Sequence, residues 1–179
     1  MSDRRITIFH FDDELGLVDW IPHVLRSHYR LKHPAWLKGP MQSLPARDGD
    51  FMQAFTLTAG AGRSLEIRYG GHATSEVAAF EDQFRPEDRD ADLLILDVFH
   101  NTRQGMRDMG TPFYRVARGR LAADRIYIMT GYPDRAKSMQ AEFDMPLENV
   151  FAKPPNVGAF VAKLAAKIQP VLDAAVANG

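Results

Sequence analysis

The amino-acid sequence predicts an α/β fold with a doubly wound parallel sheet, and three observations lead to this prediction. Short apolar runs alternate with segments of helical periodicity along the 179 residues. The third run, residues 93–98, does not alternate and is apolar except for Asp97 near its end, as in strands that helices cover on both faces. With 45% hydrophobic and 25% charged residues, the chain can bury one sizeable core, so we expect a single domain over residues 1–179.

Five apolar runs supply the predicted strands of the sheet. The second run alternates between apolar and polar residues, as an edge or half-exposed strand would, and the fifth run is the weakest. In chain order the predicted strands are residues 6–11, 65–69, 93–98, 126–129 and 150–152.

Five segments with helical spacing separate or follow these strands. The last of them has apolar residues along one face and Asn156 in position to cap its start. Proline removes a helical hydrogen bond, so we predict a kink or restart near Pro22 and a bend or end at Pro170. The predicted helices are residues 14–30, 76–84, 106–121, 135–143 and 157–175.

One segment, at about residues 31–63, does not fit this alternation. Within it, residues 51–58, a turn at Gly60 and Gly62, and the second apolar run form the pattern of a β-hairpin. We therefore predict one extra antiparallel strand at the sheet edge, contributed by an insertion. The basic stretch around Trp36 has two interpretations: a surface that docks a partner or a second copy in a homodimer, or a cover for the sheet edge.

Composition excludes several classes of function. A net charge of −1 argues against nucleic acid and anionic membranes as partners. The chain has no cysteine, which excludes disulfides and thiolate chemistry. No run approaches the roughly 20 apolar residues of a membrane span, and the first residues show no signal-type apolar region. We therefore expect a cytoplasmic protein.

Polar side chains follow four of the five predicted strands. Because parallel strands end at the same edge of a sheet, we expect three carboxylates, a hydroxyl and an ammonium to converge there. Clustered carboxylates raise one another's pKa unless a cation neutralises them, and Mg²⁺ prefers oxygen ligands. The groups are Asp12 and Asp13 after the first strand, Asp97 at the end of the third, Thr130 after the fourth and Lys153 after the fifth.

This set of side chains predicts phosphoryl-transfer chemistry. A carboxylate can attack phosphorus and form an acyl phosphate, which makes Asp97 the candidate nucleophile. The Lys153 ammonium and the Thr130 hydroxyl can hold phosphoryl oxygens. Phosphoryl transfer asks the protein mainly for positioning and for charge stabilisation, which such a set can supply.

These residues resemble the receiver domain of two-component response regulators, the CheY-like family. The acidic pair lies in FDDE, the phosphoacceptor strand and loop in LILDVFHNTRQGM, the switch hydroxyl in YIMTG, and the lysine in FAKPP. The resemblance covers the chain from Ile6 to about Ala175 outside the insertion. It implies a flavodoxin-like fold with the strand order 2-1-3-4-5.

The resemblance also implies roles and partners. Asp12, Asp13, Asp97 and the backbone carbonyl of Phe99 would hold Mg²⁺, and the bond between Lys153 and the following proline would be cis. The phosphoryl donor would be a sensor histidine kinase or a histidine phosphotransfer protein, and the output would go to a downstream protein target. Such a stand-alone receiver is not an enzyme beyond its own phosphorylation and dephosphorylation.

The sequence departs from the family pattern at two positions. Asn101 stands where proline is common, and Val150 stands where an aromatic switch residue is common. Coupling between Thr130 and an aromatic ring is therefore either absent or carried by Phe151 or Tyr132.

Two other functions remain open at this stage. One is a phosphorylation-independent, receiver-like scaffold, which Val150 and the insertion motivate. The other, less favoured, is a Mg²⁺-dependent phosphatase with an aspartyl nucleophile. Phosphatases of the haloacid-dehalogenase type place the nucleophile first and the acidic pair last, whereas here the acidic pair comes first.

Overall fold

A computed structural model describes residues 4–59, 63–84, 92–102, 104–153 and 156–177 of the chain. The predicted turn at Gly60 and Gly62 and the predicted cis bond before Pro154 lie outside the described residues. The strands in the described ranges are β1 Arg4–Phe11, β2 Leu37–Leu44, β3 Phe51–Ala59, β4 Arg63–His72, β5 Leu93–Leu96, β6 Phe99–Thr102, β7 Gly105–Asp108, β8 Ile126–Thr130 and β9 Val150–Ala152. The α-helices are α1 Ile21–Lys32, α2 Val77–Gln83, α3 Gly110–Arg118, α4 Pro133–Phe143 and α5 Val157–Ala177.

The fold is α/β with a mostly parallel central sheet, as predicted. Its seven strands lie in the order β2-β3-β4-β1-β5-β8-β9. Strand β1 pairs in parallel with β4 and β5, and β5-β8 and β8-β9 are also parallel pairs. The carboxyl ends of these strands therefore lie along one edge of the sheet, where polar residues follow β1, β5, β8 and β9.

The insertion contributes two strands to the sheet, so the prediction of one extra strand is wrong in number. Strand β3 pairs antiparallel with β4 as expected, and β2 adds outside it. The sheet order therefore differs from the expected order of five strands. Strand β2 was not predicted because it contains Gly39 and Pro40, which are rare in strands. Its register shifts between Lys38 and Gln42, and Gly39 has a φ of 68°. Proline and a bulge are tolerated at an edge strand because its outer side makes no ladder bonds.

Two hydrophobic cores lie on opposite faces of the sheet. One core packs the sheet against α1 and α5, and the other packs it against α2, α3 and α4. Trp36 stacks on His33 with ring centroids 4.0 Å apart and packs against the first core. Trp36 therefore covers the sheet edge, as one of the two interpretations predicts, and the docking of a partner or a second copy stays a prediction.

The two helical prolines behave differently. Helix α1 begins at Ile21 after a 3-10 turn, Leu15–Leu17, so Pro22 lies in the first turn, where its missing N–H costs nothing. This agrees with the predicted restart. Helix α5 runs through Pro170 instead of ending there, because Ile168 and Leu172 on either side of it are buried in the core. No helix within the described ranges combines the length and apolarity needed to cross a bilayer.

A short hairpin, β6-β7, follows β5 where the sequence predicted the start of a helix. The two strands pair antiparallel, and Gly105 adopts a φ of 98° at their turn. The amides of Met109 and Gly110 then donate hydrogen bonds of 2.8 and 2.9 Å to the Val98 carbonyl. These bonds return the chain to the end of β5 before α3 begins, so the hairpin stands beside the carboxyl edge of the sheet.

Candidate functional site

Asp12 and Asp97 lie side by side at the carboxyl edge of the sheet, immediately after β1 and β5. The Asp12 amide donates to the His72 carbonyl over 3.1 Å, and the Asp97 amide donates to the Phe11 carbonyl over 2.9 Å. These bonds extend the sheet pairing by one residue and fix both backbones. Asp12 is fully buried and Asp97 is 5% exposed, so both carboxylates depend on neighbouring groups for solvation.

Asp13 completes an acidic cluster. Its Oδ2 accepts a 2.7 Å hydrogen bond from the Asn101 amide on β6. One carboxylate oxygen from each of Asp12, Asp13 and Asp97 can be chosen so that all three lie within 4.8 Å of one another. The structure therefore brings together the three carboxylates that the sequence assigned to a metal site.

Lys153 lies between two of these carboxylates. Its Nζ is 2.7 Å from Asp12 Oδ2 and 3.0 Å from Asp97 Oδ2. Its backbone amide donates a 2.8 Å hydrogen bond to the Thr130 carbonyl, which ties the residue after β9 to the end of β8. The ammonium therefore links residues that are far apart in sequence.

The remaining contacts leave the cluster negatively charged. Backbone amides bind the other oxygens: Glu14 donates to Asp12 Oδ1 over 2.8 Å, and Val98 donates to Asp97 Oδ1 over 2.7 Å. Three carboxylates thus face the single ammonium of Lys153. Because all available ligand atoms are oxygens and negative charge is in excess, the cluster has the chemistry that a hard divalent cation requires.

The pKa shifts in the cluster follow from burial and charge. Burial is the main cause of the raised pKa of Asp97; the charge of Asp12 adds to it, and Lys153 opposes it. Burial also opposes ionisation of Asp12, but His10, Lys153 and the Glu14 amide together lower its pKa. Burial disfavours the charged form of Lys153, but both carboxylates outweigh it and raise its pKa. The Lys153 ammonium is therefore charged at neutral pH. Ionisation of Asp97, in contrast, destabilises the folded protein.

Thr130 is the last residue of β8 and is almost fully buried. Its Oγ1 accepts a 3.1 Å hydrogen bond from the Tyr132 amide, so the proton of the hydroxyl is not used in that bond. The Thr130 carbonyl holds the Lys153 amide, which places the hydroxyl-bearing residue next to the lysine.

The ring of Tyr132, whose backbone amide binds the Thr130 hydroxyl oxygen, contacts the β6-β7 hairpin. It packs edge-on against Phe99, the first residue of β6, with ring centroids 4.5 Å apart. Phe151, the other ring considered, packs against Phe160 in the first core, and Val150 packs against the second core. Among the described residues, the ring contacts of Tyr132 reach the hairpin that carries Phe99, and those of Phe151 are with Tyr127 and Phe160.

His10 belongs to the site, although sequence reasoning gave it no role. Its Nδ1 is 2.7 Å from the Tyr69 hydroxyl, and its Nε2 is 3.6 Å from Asp12 Oδ2. Complete burial lowers the pKa of His10 to about 3, so the ring is neutral at neutral pH. A signal was present in the sequence: in β1 His10 shares a face with the buried residues Ile6 and Ile8, where a polar side chain needs a partner.

Comparison with known proteins adds no functional assignment. No protein family model matches the chain. No curated protein matches it either. The geometry of the acidic cluster and its lysine is therefore the basis for assigning a function.

Gly110 is expected to be essential for the loop that follows Asp97. A Cβ at this position would lie 2.7 Å from Val98 Cα and 3.0 Å from the Asp97 carbonyl oxygen, and backbone atoms cannot move aside as side chains can. We expect Gly110→Ala to lower the free energy of unfolding by roughly 1–3 kcal/mol, measured by urea denaturation. The control is Gly16→Ala, where an added Cβ meets no atom within 4 Å. Equal effects of the two substitutions would contradict the close packing at Gly110.

Proposed function

We propose that the protein is a receiver-type phosphoacceptor in which Asp97 accepts a phosphoryl group from a phosphohistidine. The observation that carries this proposal is the position of the Lys153 ammonium, in contact with both Asp12 and Asp97. An ammonium and a nucleophilic carboxylate beside an acidic cluster are the groups that a phosphoacceptor needs. The contacts join residues that follow three different strands, so the fold assembles this group from distant parts of the chain.

The arrangement of the parallel strands supports the same proposal. When the two insertion strands are set aside, the remaining strands of the main sheet lie in the order β4-β1-β5-β8-β9. Numbered along the chain, this is 2-1-3-4-5, the order that the resemblance to receivers implies. We therefore propose a flavodoxin-like fold enlarged at one edge by β2 and β3.

The residues have separable roles in the proposed transfer. An oxygen of Asp97 attacks phosphorus, the new O–P bond forms as the P–N bond of the phosphohistidine breaks, and the electron pair leaves with the imidazole nitrogen. Lys153, 3.0 Å from Asp97 Oδ2, binds a phosphoryl oxygen after transfer. Thr130 donates its hydroxyl proton to another oxygen, since that proton is not used in the bond from Tyr132.

Magnesium fits the donor set of this site. Asp12, Asp13 and Asp97 would hold the ion, together with the Phe99 carbonyl that the resemblance implies. The fit follows from the excess negative charge and from the all-oxygen ligands. When bound, Mg²⁺ would neutralise negative charge on the transferred phosphoryl group.

The proposal also defines partners and a compartment. The donor would be a histidine kinase or a histidine phosphotransfer protein, and a downstream protein would recognise the phosphorylated form. With such partners the protein would act in the cytoplasm. The new charge at Asp97 would act first on Thr130 and Tyr132, because the Tyr132 amide binds the Thr130 hydroxyl oxygen.

Acetyl phosphate with Mg²⁺ tests the proposal directly. We expect intact-mass measurement to show the addition of one phosphoryl group, lost on treatment with hydroxylamine as an acyl phosphate requires. The alternatives give different outcomes. Absence of modification here and with a panel of phosphorylated histidine phosphotransfer proteins would favour a phosphorylation-independent scaffold. Hydrolysis of many equivalents of a phosphate ester would favour a phosphatase.

Magnesium is expected to stabilise the protein against heat. Relief of the repulsion among the three carboxylates favours the folded state, and an ion at 100 times its Kd adds about 2.7 kcal/mol. For a chain of this size the melting temperature should rise by roughly 5–10 °C. We expect Asp13→Asn to reduce the shift and Asp134→Asn, at a side chain that is 98% exposed, to leave it unchanged. An equal shift in both variants would exclude the acidic cluster as the metal site.

A further inference from the structure

The hairpin β6-β7 holds one carboxylate of the acidic cluster through its backbone. The Asn101 amide donates a 2.7 Å hydrogen bond to Asp13 Oδ2. Asp12 and Asp97 are buried, whereas Asp13 is only partly buried, so the packing around Asp13 restricts its side chain less. The orientation of the Asp13 carboxylate therefore depends on where the hairpin stands.

His100 fixes the hairpin to the segment that follows β4. Its side chain is fully buried, and its Nδ1 is 2.8 Å from the Thr74 carbonyl oxygen. A carbonyl oxygen can only accept, so Nδ1 carries a proton and donates it. Nε2 is buried and has no hydrogen-bond partner among the residues that the structure describes. The bond to Thr74 is therefore the polar contact by which the His100 ring anchors β6.

The same segment after β4 also holds the backbone of Asp12. The Asp12 amide donates to the His72 carbonyl over 3.1 Å, two residues before the carbonyl that binds His100. The residue after His100 supplies the amide that binds Asp13. Since Asp12 and Asp13 are adjacent in the chain, these three hydrogen bonds close a ring. The ring fixes the hairpin relative to both acidic residues.

Hydrogen bonds to a carboxylate ligand influence how tightly a metal site binds. When one oxygen of the carboxylate is held by a donor, the other oxygen keeps a fixed direction, and less side-chain entropy is lost when a cation binds. Loss of such an outer contact typically weakens metal binding by about 10- to 100-fold. The bond from the hairpin to Asp13 is a contact of this kind.

We propose that His100 is a positioning residue for the cation site. Its bond to the Thr74 carbonyl holds the hairpin in place, so that the Asn101 amide orients Asp13 before a cation binds. This role rests on the proposed function, because it concerns the affinity of the proposed Mg²⁺ site. His100 acts through the hairpin and not as a ligand.

Two substitutions of His100 separate the hydrogen bond from packing. His100→Phe keeps an aromatic ring but removes the donor, whereas His100→Asn is smaller but carries an N–H donor at the position of Nδ1. We expect the Kd of Mg²⁺, measured by NMR titration, to rise about tenfold or more in His100→Phe. It should change little in His100→Asn. In the metal-free protein, the Asn101 amide proton should lose its downfield, hydrogen-bonded shift in His100→Phe alone. An unchanged Kd in His100→Phe, or an equal rise in both variants, would overturn the proposal.

Phe113→Leu is the control for a general loss of stability. Phe113 is fully buried and packs edge-on against the His100 ring, with centroids 5.5 Å apart. The substitution should lower the free energy of unfolding without removing the donor, and should therefore leave the Kd of Mg²⁺ unchanged. A rise in Kd equal to that in His100→Phe would attribute the effect to packing and would overturn the proposal.

Hydrogen exchange in the natural protein tests the anchoring without any substitution, and decides the question if His100→Phe does not fold. Asn101 is exposed, so its amide should exchange slowly in the absence of Mg²⁺ only if the bond to Asp13 is maintained. Rapid exchange of this amide, or absence of Mg²⁺ binding to the natural protein, would overturn the proposal. The phosphoacceptor role fails separately: Mg²⁺ binding that depends on His100, without modification by any phosphoryl donor, would overturn that role and support the position of His100.

Discussion

Asp97→Asn is expected to abolish phosphorylation by acetyl phosphate and, at neutral pH, to raise the melting temperature. The carboxamide cannot act as the attacking nucleophile, so no acyl phosphate forms. The rise in stability follows from the environment of Asp97, whose pKa is raised chiefly by burial. Folding therefore disfavours its charged form, and a neutral side chain of the same shape removes that cost. Intact-mass measurement and thermal unfolding on the same samples test both results.

The stability gained by Asp97→Asn should depend on pH. Because the folded-state pKa of Asp97 is raised, its ionisation destabilises the protein above the unfolded pKa of about 3.9. The difference between the variant and the natural protein should therefore shrink as the pH falls towards that value. Asp124→Asn is the matched control: a hydrogen bond from Lys167 lowers the pKa of Asp124, so its substitution should slightly lower stability. Phosphorylation of Asp97→Asn, or a fall in its melting temperature, would contradict the assigned role.

Lys153→Met is expected to cause the largest loss of stability among the variants considered. The change removes the ammonium from two carboxylates and leaves Asp12, which is fully buried, without its ion pair. Removal of one partner from a buried ion pair costs about 3–5 kcal/mol, since the remaining charge is neither solvated nor paired. For a chain of this size the melting temperature should fall by roughly 6–20 °C. Urea denaturation at neutral pH measures the loss.

Lys167→Met is the control for Lys153→Met, because it removes a lysine from an exposed ion pair. Lys167 also forms an ion pair, with Asp124 at 2.9 Å, but both side chains are more than one-third exposed. Exposed pairs contribute at most about 1 kcal/mol, so this variant should remain close to the natural protein in stability. Magnesium should restore part of the stability of Lys153→Met, because the ion replaces the missing positive charge. Equal losses in the two lysine variants would show that Lys153 does not neutralise a buried cluster.

The positions of the site residues were predictable because they depend on strand ends. A run of apolar residues marks each central strand, and a parallel sheet brings the ends of its strands to one edge. Asp12, Asp13 and Asp97 could thus be placed together without coordinates, and so could Lys153. Their partners were not predictable, because the bond from the Asn101 amide to Asp13 depends on a hairpin that no sequence pattern indicated.

Two elements that the sequence patterns did not predict, β2 and the hairpin β6-β7, have residues that locally favour other structures. Strand β2 contains Gly39 and Pro40, which are depleted in strands and here lie at an irregular edge. Hairpin β6-β7 includes Met106, where the predicted helix over residues 106–121 begins. In β2 the pairing with β3 outweighed the local preference, whereas β6 and β7 pair with each other within residues 99–108.

The irregular path of β2 has a consequence for self-association. A neighbouring molecule that added a strand there would need a continuous row of amide donors, and Pro40 and the shifted register interrupt that row. The opposite border of the sheet, β9, is only three residues long and offers too few bonds to recruit another chain. The enlarged sheet is therefore protected against ribbon-like polymerisation at both of its borders.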